Sequence, residues 1–246
     1  MDPAETSAAV GSAWLNGSLL AFDIETTGLD VDRDVPVSVA FVRAEGRRIV
    51  KRASFLVDPG CQIPEAAVAV HGITTEMART DGVPLDVAAR RIAGSLHKAA
   101  AAHTPVVVMN GRFDLSMSDS LCIRQGLGGL EDLGLLVVDV LVLDRHVDRY
   151  RRGQRTLTAL CEHYGAALLN AHDAASDASA TLRVLGKMMD CYPEIADTEI
   201  KELTALQSDW YREQVQSLVE YRARVGQPPL DDADESWPFR GSRALA

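Results

Sequence analysis

The sequence predicts an α/β domain, a mixed sheet with helices packed against it, and three observations carry that prediction. A short, continuously apolar run from Ser18 to Phe22 suits a central strand buried on both faces. Two further strand-like runs, Val35–Val42 and Ile49–Val57, follow it across turn-rich segments. Beyond them, short apolar or β-branched runs alternate with stretches of helical period, the order that builds a sheet with covering helices.

Residues 1–12 are small and polar and are expected to form a flexible tail. The turn-rich Gly28–Asp34 and the pair Glu45-Gly46 separate the first three strands, which read as an antiparallel meander. Pro84 then opens a segment in which Leu85, Ala88, Ala89, Ile92 and Leu96 fall on one helical face, predicting a helix to about Ala102. A strand at Val106–Met109, a helix at Phe113–Gln125 ended by Gly126, and a strand at Leu135–Val138 follow. Helices are predicted at Val140–His146, Thr156–Tyr164 and Ala174–Met189. After Pro193, apolar and aromatic residues from Leu203 to Val225 form the stripe of one long amphipathic helix, Thr198–Val225. An acidic, extended segment from Pro228 to Glu235 leads to Trp237-Pro238-Phe239. The chain thus divides into a tail (1–12), a main domain (13–190) and a C-terminal helix with an acidic tail (191–246).

The 246 residues include 25 Lys or Arg and 35 Asp or Glu, a formal net charge of −10 and a pI near 5.0. With 47% hydrophobic and 24% charged residues, whole-chain disorder is excluded. A chain of this length buries about 70% of its unfolded surface without staples, so no disulfide or structural metal is required. Cys61, Cys122, Cys161 and Cys191 form no C-x-x-C pair and are expected as reduced thiols. The acidic N-terminus and the lack of any apolar run near ~18 residues predict no export signal or membrane anchor, and a cytoplasmic location. The acidic balance speaks against holding nucleic acid by bulk charge. Half of the acidic excess, however, lies in residues 191–246, which hold 11 acids and 6 bases (6 − 11 = −5).

The informative carboxylates lie elsewhere. In Asp23-Ile24-Glu25, at the end of the first strand, alternation points both carboxylates to one side of the sheet, where they repel unless a cation joins them. Asn110-Gly111-Arg112-Phe113-Asp114 follows a strand and puts Asp114 in the first turn of a helix, at the sheet edge where ligands of α/β sheets collect. A first-turn carboxylate also suits the helix dipole. In His172-Asp173-Ala174-Ala175-Ser176-Asp177, the histidine precedes a helix and Asp177 sits one turn into it. Four carboxylates from separate elements, with one histidine, form the donor set expected of two hard divalent cations that clamp a phosphodiester. An imidazole, with an ordinary pKa near about 6.5, can accept the proton of the attacking water.

These motifs resemble those of the DEDD exonuclease superfamily, in its DnaQ-like DEDDh branch, to which the proofreading subunit of bacterial replicative DNA polymerase belongs. The first motif is similar to Phe22-Asp23-Ile24-Glu25-Thr26-Thr27-Gly28-Leu29, and the other two to Asn110–Asp114 and His172–Asp177. The resemblance spans about Ser18 to Met189. It implies a ribonuclease H-like fold with a five-stranded mixed sheet, three antiparallel strands followed by two parallel ones. It implies stepwise release of nucleoside monophosphates from 3′ ends, with Mg²⁺ as the metal and Mn²⁺ able to replace it. By residue it implies that Asp23 bridges two metals, that Glu25 and Asp177 complete one, that Asp114 holds the other and that His172 is the base. Thr26, Gly28 and Leu29 would border the terminal nucleotide, and His71, Asn110 and Phe113 would line its pocket. His71 belongs to Val70-His71-Gly72-Ile73-Thr74, which resembles a substrate-side loop of the family and also reads as a helix ended by a glycine cap.

The expected partners are 3′ ends of single-stranded DNA or RNA. The same five residues serve an RNA-trimming enzyme similar to ribonuclease T or oligoribonuclease, and an inactive domain that docks on a polymerase is a further reading. Residues 198–246 are the candidate surface for a polymerase or for self-association. Arg145, Arg149, Arg151, Arg152 and Arg155 against Asp144 and Asp148 leave a local excess of 5 − 2 = +3, either a solvated face or a contact to phosphates.

Overall fold

Strand β1 (Ser18–Thr26) lies inside the sheet because both of its faces are apolar: Leu19 and Ala21 enter one hydrophobic cluster, Phe22 and Ile24 the other. The computed structural model describes residues 13–230 and 232–241, so the expected tail at 1–12 falls outside the described residues. β2 (Pro36–Glu45) pairs antiparallel with β1, and β3 (Arg48–Asp58) antiparallel with β2. β4 (Val83–Pro84), β5 (Val106–Val108) and β6 (Val137–Asp139) complete one sheet of order β4-β3-β2-β1-β5-β6, in which β1–β5 and β5–β6 are parallel.

The sheet therefore has six strands where five were expected. The additional β4 is two residues long and pairs parallel with the end of β3, Val57 with Val83 and Asp58 with Pro84. Two residues that end in the proline before a helix carry no strand period, which is why the sequence hides it. β1 also runs on through Thr26, since its pairing with β2 continues to Glu25–Ser38 and Thr26–Pro36. Asp23 and Glu25 are thus strand residues on the face that carries Leu19 and Ala21.

The helices are α1 (Ala13–Asn16), α2 (Glu65–His71), α3 (Thr75–Asp81), α4 (Leu85–Ala101), α5 (Gly111–Arg124), α6 (Val140–Val147), α7 (Leu157–Tyr164), α8 (Ala174–Cys191), α9 (Pro193–Ala196) and α10 (Ile200–Arg224). α1, α3 and α9 were not foreseen, being short, and of α2 only its end at the Gly72 cap was read. α2 buries no side chain fully, so it has no apolar stripe to read. α8 crosses one face of the sheet, where Ala178, Val184, Leu185 and Met188 pack with Leu19, Ala21 and Val42. On the other face Ala88, Ala89, Ile92 and Leu96 of α4 pack with Phe22, Val39 and Val106. Each large apolar side chain so buried contributes about 1.5–3 kcal/mol.

The stripe on α10 is buried only in its first half. Leu203 and Gln207 are buried and Trp210 stacks on His146 at 3.7 Å, whereas Leu218, Val219, Tyr221 and Val225 are exposed. After α10 the chain returns to the domain: Trp237 and Phe239 are buried in the cluster under α4 and α5. All four cysteines are free thiols. Among the described residues no helix is long and apolar enough to cross a membrane.

Candidate active site

The ends of β1, α5 and α8 bring the predicted carboxylates together. Asp114, 5% exposed in the first turn of α5, accepts the Ile24 backbone N–H at 3.2 Å, so it docks between Asp23 and Glu25. α8 starts with Asp173 as its cap, whose side chain accepts the Ser176 N–H at 2.9 Å, and this turns Asp177 toward β1. Ligand atoms of Glu25, His172 and Asp177 lie within 4.8 Å of one another. His172 is exposed, in a left-handed conformation with φ of 64°. Its N–H donates to Asp177 Oδ2 at 3.0 Å.

Crowding and burial oppose the ionised forms of all four carboxylates. Glu25 is pushed up to about 7, first by burial and then by Asp177 and Asp173. Asp23 is raised well above the usual carboxylate range by burial, then by Asp114, Asp177 and Glu25. Burial raises Asp114 against the opposing Ile24 N–H, and raises Asp177 against the His172 N–H. Among the described residues, Asp177 Oδ1 is buried without any hydrogen-bond partner.

The expected substrate residues surround this cluster in different ways. Thr26 is buried and its hydroxyl donates to the Gly28 carbonyl at 2.7 Å. A Cβ at Gly28 would stand 2.5 Å from Asp34 Oδ2, and Asp34 is fixed by the Thr27 hydroxyl at 2.7 Å and the Asp30 N–H at 2.9 Å. Leu29 is 85% exposed at the tip of that loop. His71 ends α2, before the left-handed cap Gly72, and its Nδ1 accepts the Ile73 N–H at 3.1 Å. Burial lowers the His71 pKa, against the Thr26 backbone, which raises it, and with His172, which lowers it. Asn110, exposed with φ of 63°, caps α5, while Phe113 is half-buried against the α4–α5 cluster.

Supporting residues were missed, Asp139 outside the motifs and Arg112 within the second one. Asp139 is 1% exposed and accepts four backbone N–H groups, including those of Asn110 at 3.1 Å and Gly111 at 2.8 Å. An Asp between a strand and a helix is a cap signal that could have found it. Arg112 bonds to Asp232 at 3.1 Å and to Asp234 at 2.8 Å, so the segment after α10 lies against the helix that carries Asp114. Two of the arginines read as either a solvated face or a contact to phosphates, Arg151 and Arg155, are turned away from solvent. Both turn inward onto Asp144, which is fully buried, and Tyr164 donates to the same carboxylate at 2.8 Å.

The family model of the RNase_T exonucleases matches residues 20–185, a span that includes every residue of the cluster. The chain belongs to the RNase_T exonuclease family, within the DEDD superfamily. Curated relatives of this family member include the PolC-type DNA polymerase III of Caldanaerobacter subterraneus, 27% identical over 79% of this chain and 13% of the polymerase. That of Listeria welshimeri is 28% identical over 72% of this chain and 12% of the polymerase. The chain thus spans about an eighth of the length of these relatives. Similar solved structures include Escherichia coli exonuclease I with a dT13 oligonucleotide (TM-score 0.62, 22% identity, 73% of this chain and 42% of that one). Exonuclease X with a 5′-overhanging duplex DNA is another (TM-score 0.54, 22% identity, 76% of this chain and 99% of that one). These likenesses bear out the fold. DEDD exonucleases use divalent metals, and the residues present fit such ions: clustered carboxylate oxygens, one of them buried without a partner, are the donors that hard cations select.

Proposed function

We propose that this domain is a metal-dependent 3′–5′ exonuclease that releases nucleoside monophosphates from 3′ ends of single-stranded nucleic acid, DNA in the first place. The observation that carries the reading is the convergence of Asp23, Glu25, Asp114, Asp177 and His172 at one end of β1, with four carboxylates whose ionised forms burial and mutual repulsion oppose and divalent cations would stabilise. Asp23, Glu25, Asp114 and Asp177 would hold two divalent ions, Mg²⁺ with Mn²⁺ able to replace it. When bound, such ions supply a water that loses its proton near neutral pH and neutralise the leaving oxygen. His172 takes the proton of the attacking water on a ring nitrogen, with its backbone held by Asp177. Thr26, Gly28 and Leu29 would border the terminal nucleotide, and His71, Asn110 and Phe113 would line its pocket.

DNA as substrate is supported by the polymerase relatives and by the oligonucleotide in the exonuclease I structure. The exonuclease unit is residues 13–190 and the extension 191–246. The relatives also support work beside a polymerase in the cytoplasm, and the exposed Leu218, Val219 and Tyr221 on α10, with Val225 at its end, are the surface offered to it or to a second copy. The test is degradation of 3′- and 5′-labelled single-stranded DNA and RNA in Mg²⁺ or Mn²⁺. Stepwise loss from the 3′ end, abolished by Asp23→Ala and His172→Ala, is expected. An inert wild type would make the domain a binding module instead, and faster loss of RNA would reverse the substrate preference.

A further inference from the structure

Among the described residues β6 is the last strand of the sheet, so one of its edges offers backbone groups that no further strand there pairs. Gln207 of α10, fully buried, meets that edge: its Nε2 donates to the Val137 carbonyl at 2.8 Å and its Oε1 accepts the Asp139 N–H at 2.7 Å. The side-chain amide thereby spans the two groups that a neighbouring peptide would have spanned, and Thr204 adds a hydroxyl to the same carbonyl at 3.3 Å. The carboxylate of Asp139 then reaches across to the turn before α5. Its Oδ1 accepts the Asn110 N–H and its Oδ2 the Gly111 N–H, while Leu141 and Val142 at the start of α6 also donate to it. That turn is tight: Asn110 is left-handed, and a Cβ at Gly111 would stand 2.2 Å from a Val108 methyl. Gly111 is the first residue of α5, so Asp114 follows it within one rigid turn.

We propose that Gln207 and Asp139 are positioning residues, a relay from α10 through the β6 edge that fixes the Asn110–Gly111 turn and thereby sets Asp114 against Asp23. The inference rests on the proposed metal-dependent activity for its kinetic readout only. Without Gln207, the buried Asp139 N–H loses its partner at about 1–3 kcal/mol and the Val137 carbonyl keeps only the longer Thr204 contact, and the edge relieves this by shifting toward water. The shift carries Asp139 and the turn with it. A displacement of Asp114 by about 1 Å is enough to cost a large factor in rate without changing what the substrate touches.

The experiment compares wild type, Gln207→Met and Leu203→Ala in the full chain. Gln207→Met keeps the side chain's length while removing both hydrogen bonds. Leu203→Ala removes buried packing one turn earlier on α10 without touching Asp139. The relay requires that Gln207→Met lower kcat about 10-fold with KM within about 2-fold, and weaken Mn²⁺ binding about 5-fold in titrations without nucleic acid followed by electron paramagnetic resonance. Leu203→Ala should lower the melting temperature yet keep kcat and Mn²⁺ affinity where it is folded. If Gln207→Met does not fold, Gln207→Glu, which keeps an oxygen for the Asp139 N–H, takes the same test with a smaller loss expected. Wild-type kcat and Mn²⁺ affinity in the Gln207 variant, or equal losses in Leu203→Ala, would overturn the relay. If wild type hydrolyses no nucleic acid, the proposed activity fails by itself and the Mn²⁺ titration still decides the relay.

Discussion

Asp177 holds His172 by its backbone: Asp177 Oδ2 accepts the His172 N–H at 3.0 Å, and Oδ1 of the same carboxylate is buried without a partner. One side chain therefore does two things, fixing the loop that carries the imidazole and keeping a buried oxygen without a protein partner in the Glu25–His172 cluster.

The two roles separate by mutation. Asp177→Asn retains an oxygen for the His172 N–H but removes the charge, so Mn²⁺ affinity should fall at least about 10-fold and activity with it. His172→Gln should lower kcat about 100-fold or more while Mn²⁺ affinity stays within about 3-fold, as expected of a proton acceptor. Calorimetric Mn²⁺ titration of both variants checks this, and equal loss of binding would make His172 a ligand instead.

Repulsion among the carboxylates predicts that the metal-free protein is less stable than its fold allows. Removing one charge, as in Asp23→Asn, should raise stability without metal by on the order of 1 kcal/mol and abolish activity. Millimolar Mg²⁺ should raise the melting temperature of the wild type and leave that of Asp23→Asn nearly unchanged. Thermal scans with and without a chelator read both effects.

The segment after α10 should come away in acid. Burial pushes the Asp234 carboxyl up, but hydrogen bonds from Ser236, Gly241 and Arg112 outweigh it and bring it from the usual 3.8 to about 2. Because the folded value is the lower one, the stabilisation is present above about pH 4 and is lost as the pH falls toward about 2. Trp237, 8% exposed on this segment, should shift its emission to longer wavelength over that range. In Asp234→Asn the shift should begin at higher pH, and an emission unchanged down to pH 2 would contradict the contact.

Asp144 should behave as a stability residue. It is wholly buried between Arg151, Arg155 and Tyr164, and removing one charged partner while Arg151 and Tyr164 stay forfeits a charge-assisted hydrogen bond at about 1.5–3 kcal/mol. Urea unfolding of Arg155→Ala should show a loss of this size. Its salt dependence of substrate binding should match wild type, since a guanidinium facing Asp144 is not free for phosphate.

The sequence by itself determined which residue types carry the chemistry. Asp23 and Glu25 share a strand face, Asp114 and Asp177 each open a helix, and these are local patterns that strand alternation and helix caps fix within a few residues. The main strands and helices were legible for the same reason, whereas the two-residue β4 and the short helices α2 and α3 have too few buried positions to leave a period. Only the tertiary structure decided how the pieces meet. Asp114 finds the Ile24 N–H across 90 positions, and Gln207 finds Asp139 across 68. Arg151 and Arg155, which read as cations available to phosphate, face a buried carboxylate, and the acidic segment after α10 lies along Arg112. Such pairings depend on which groups folding leaves buried and in need of a partner, and that demand exists only once the sheet has closed on its helices.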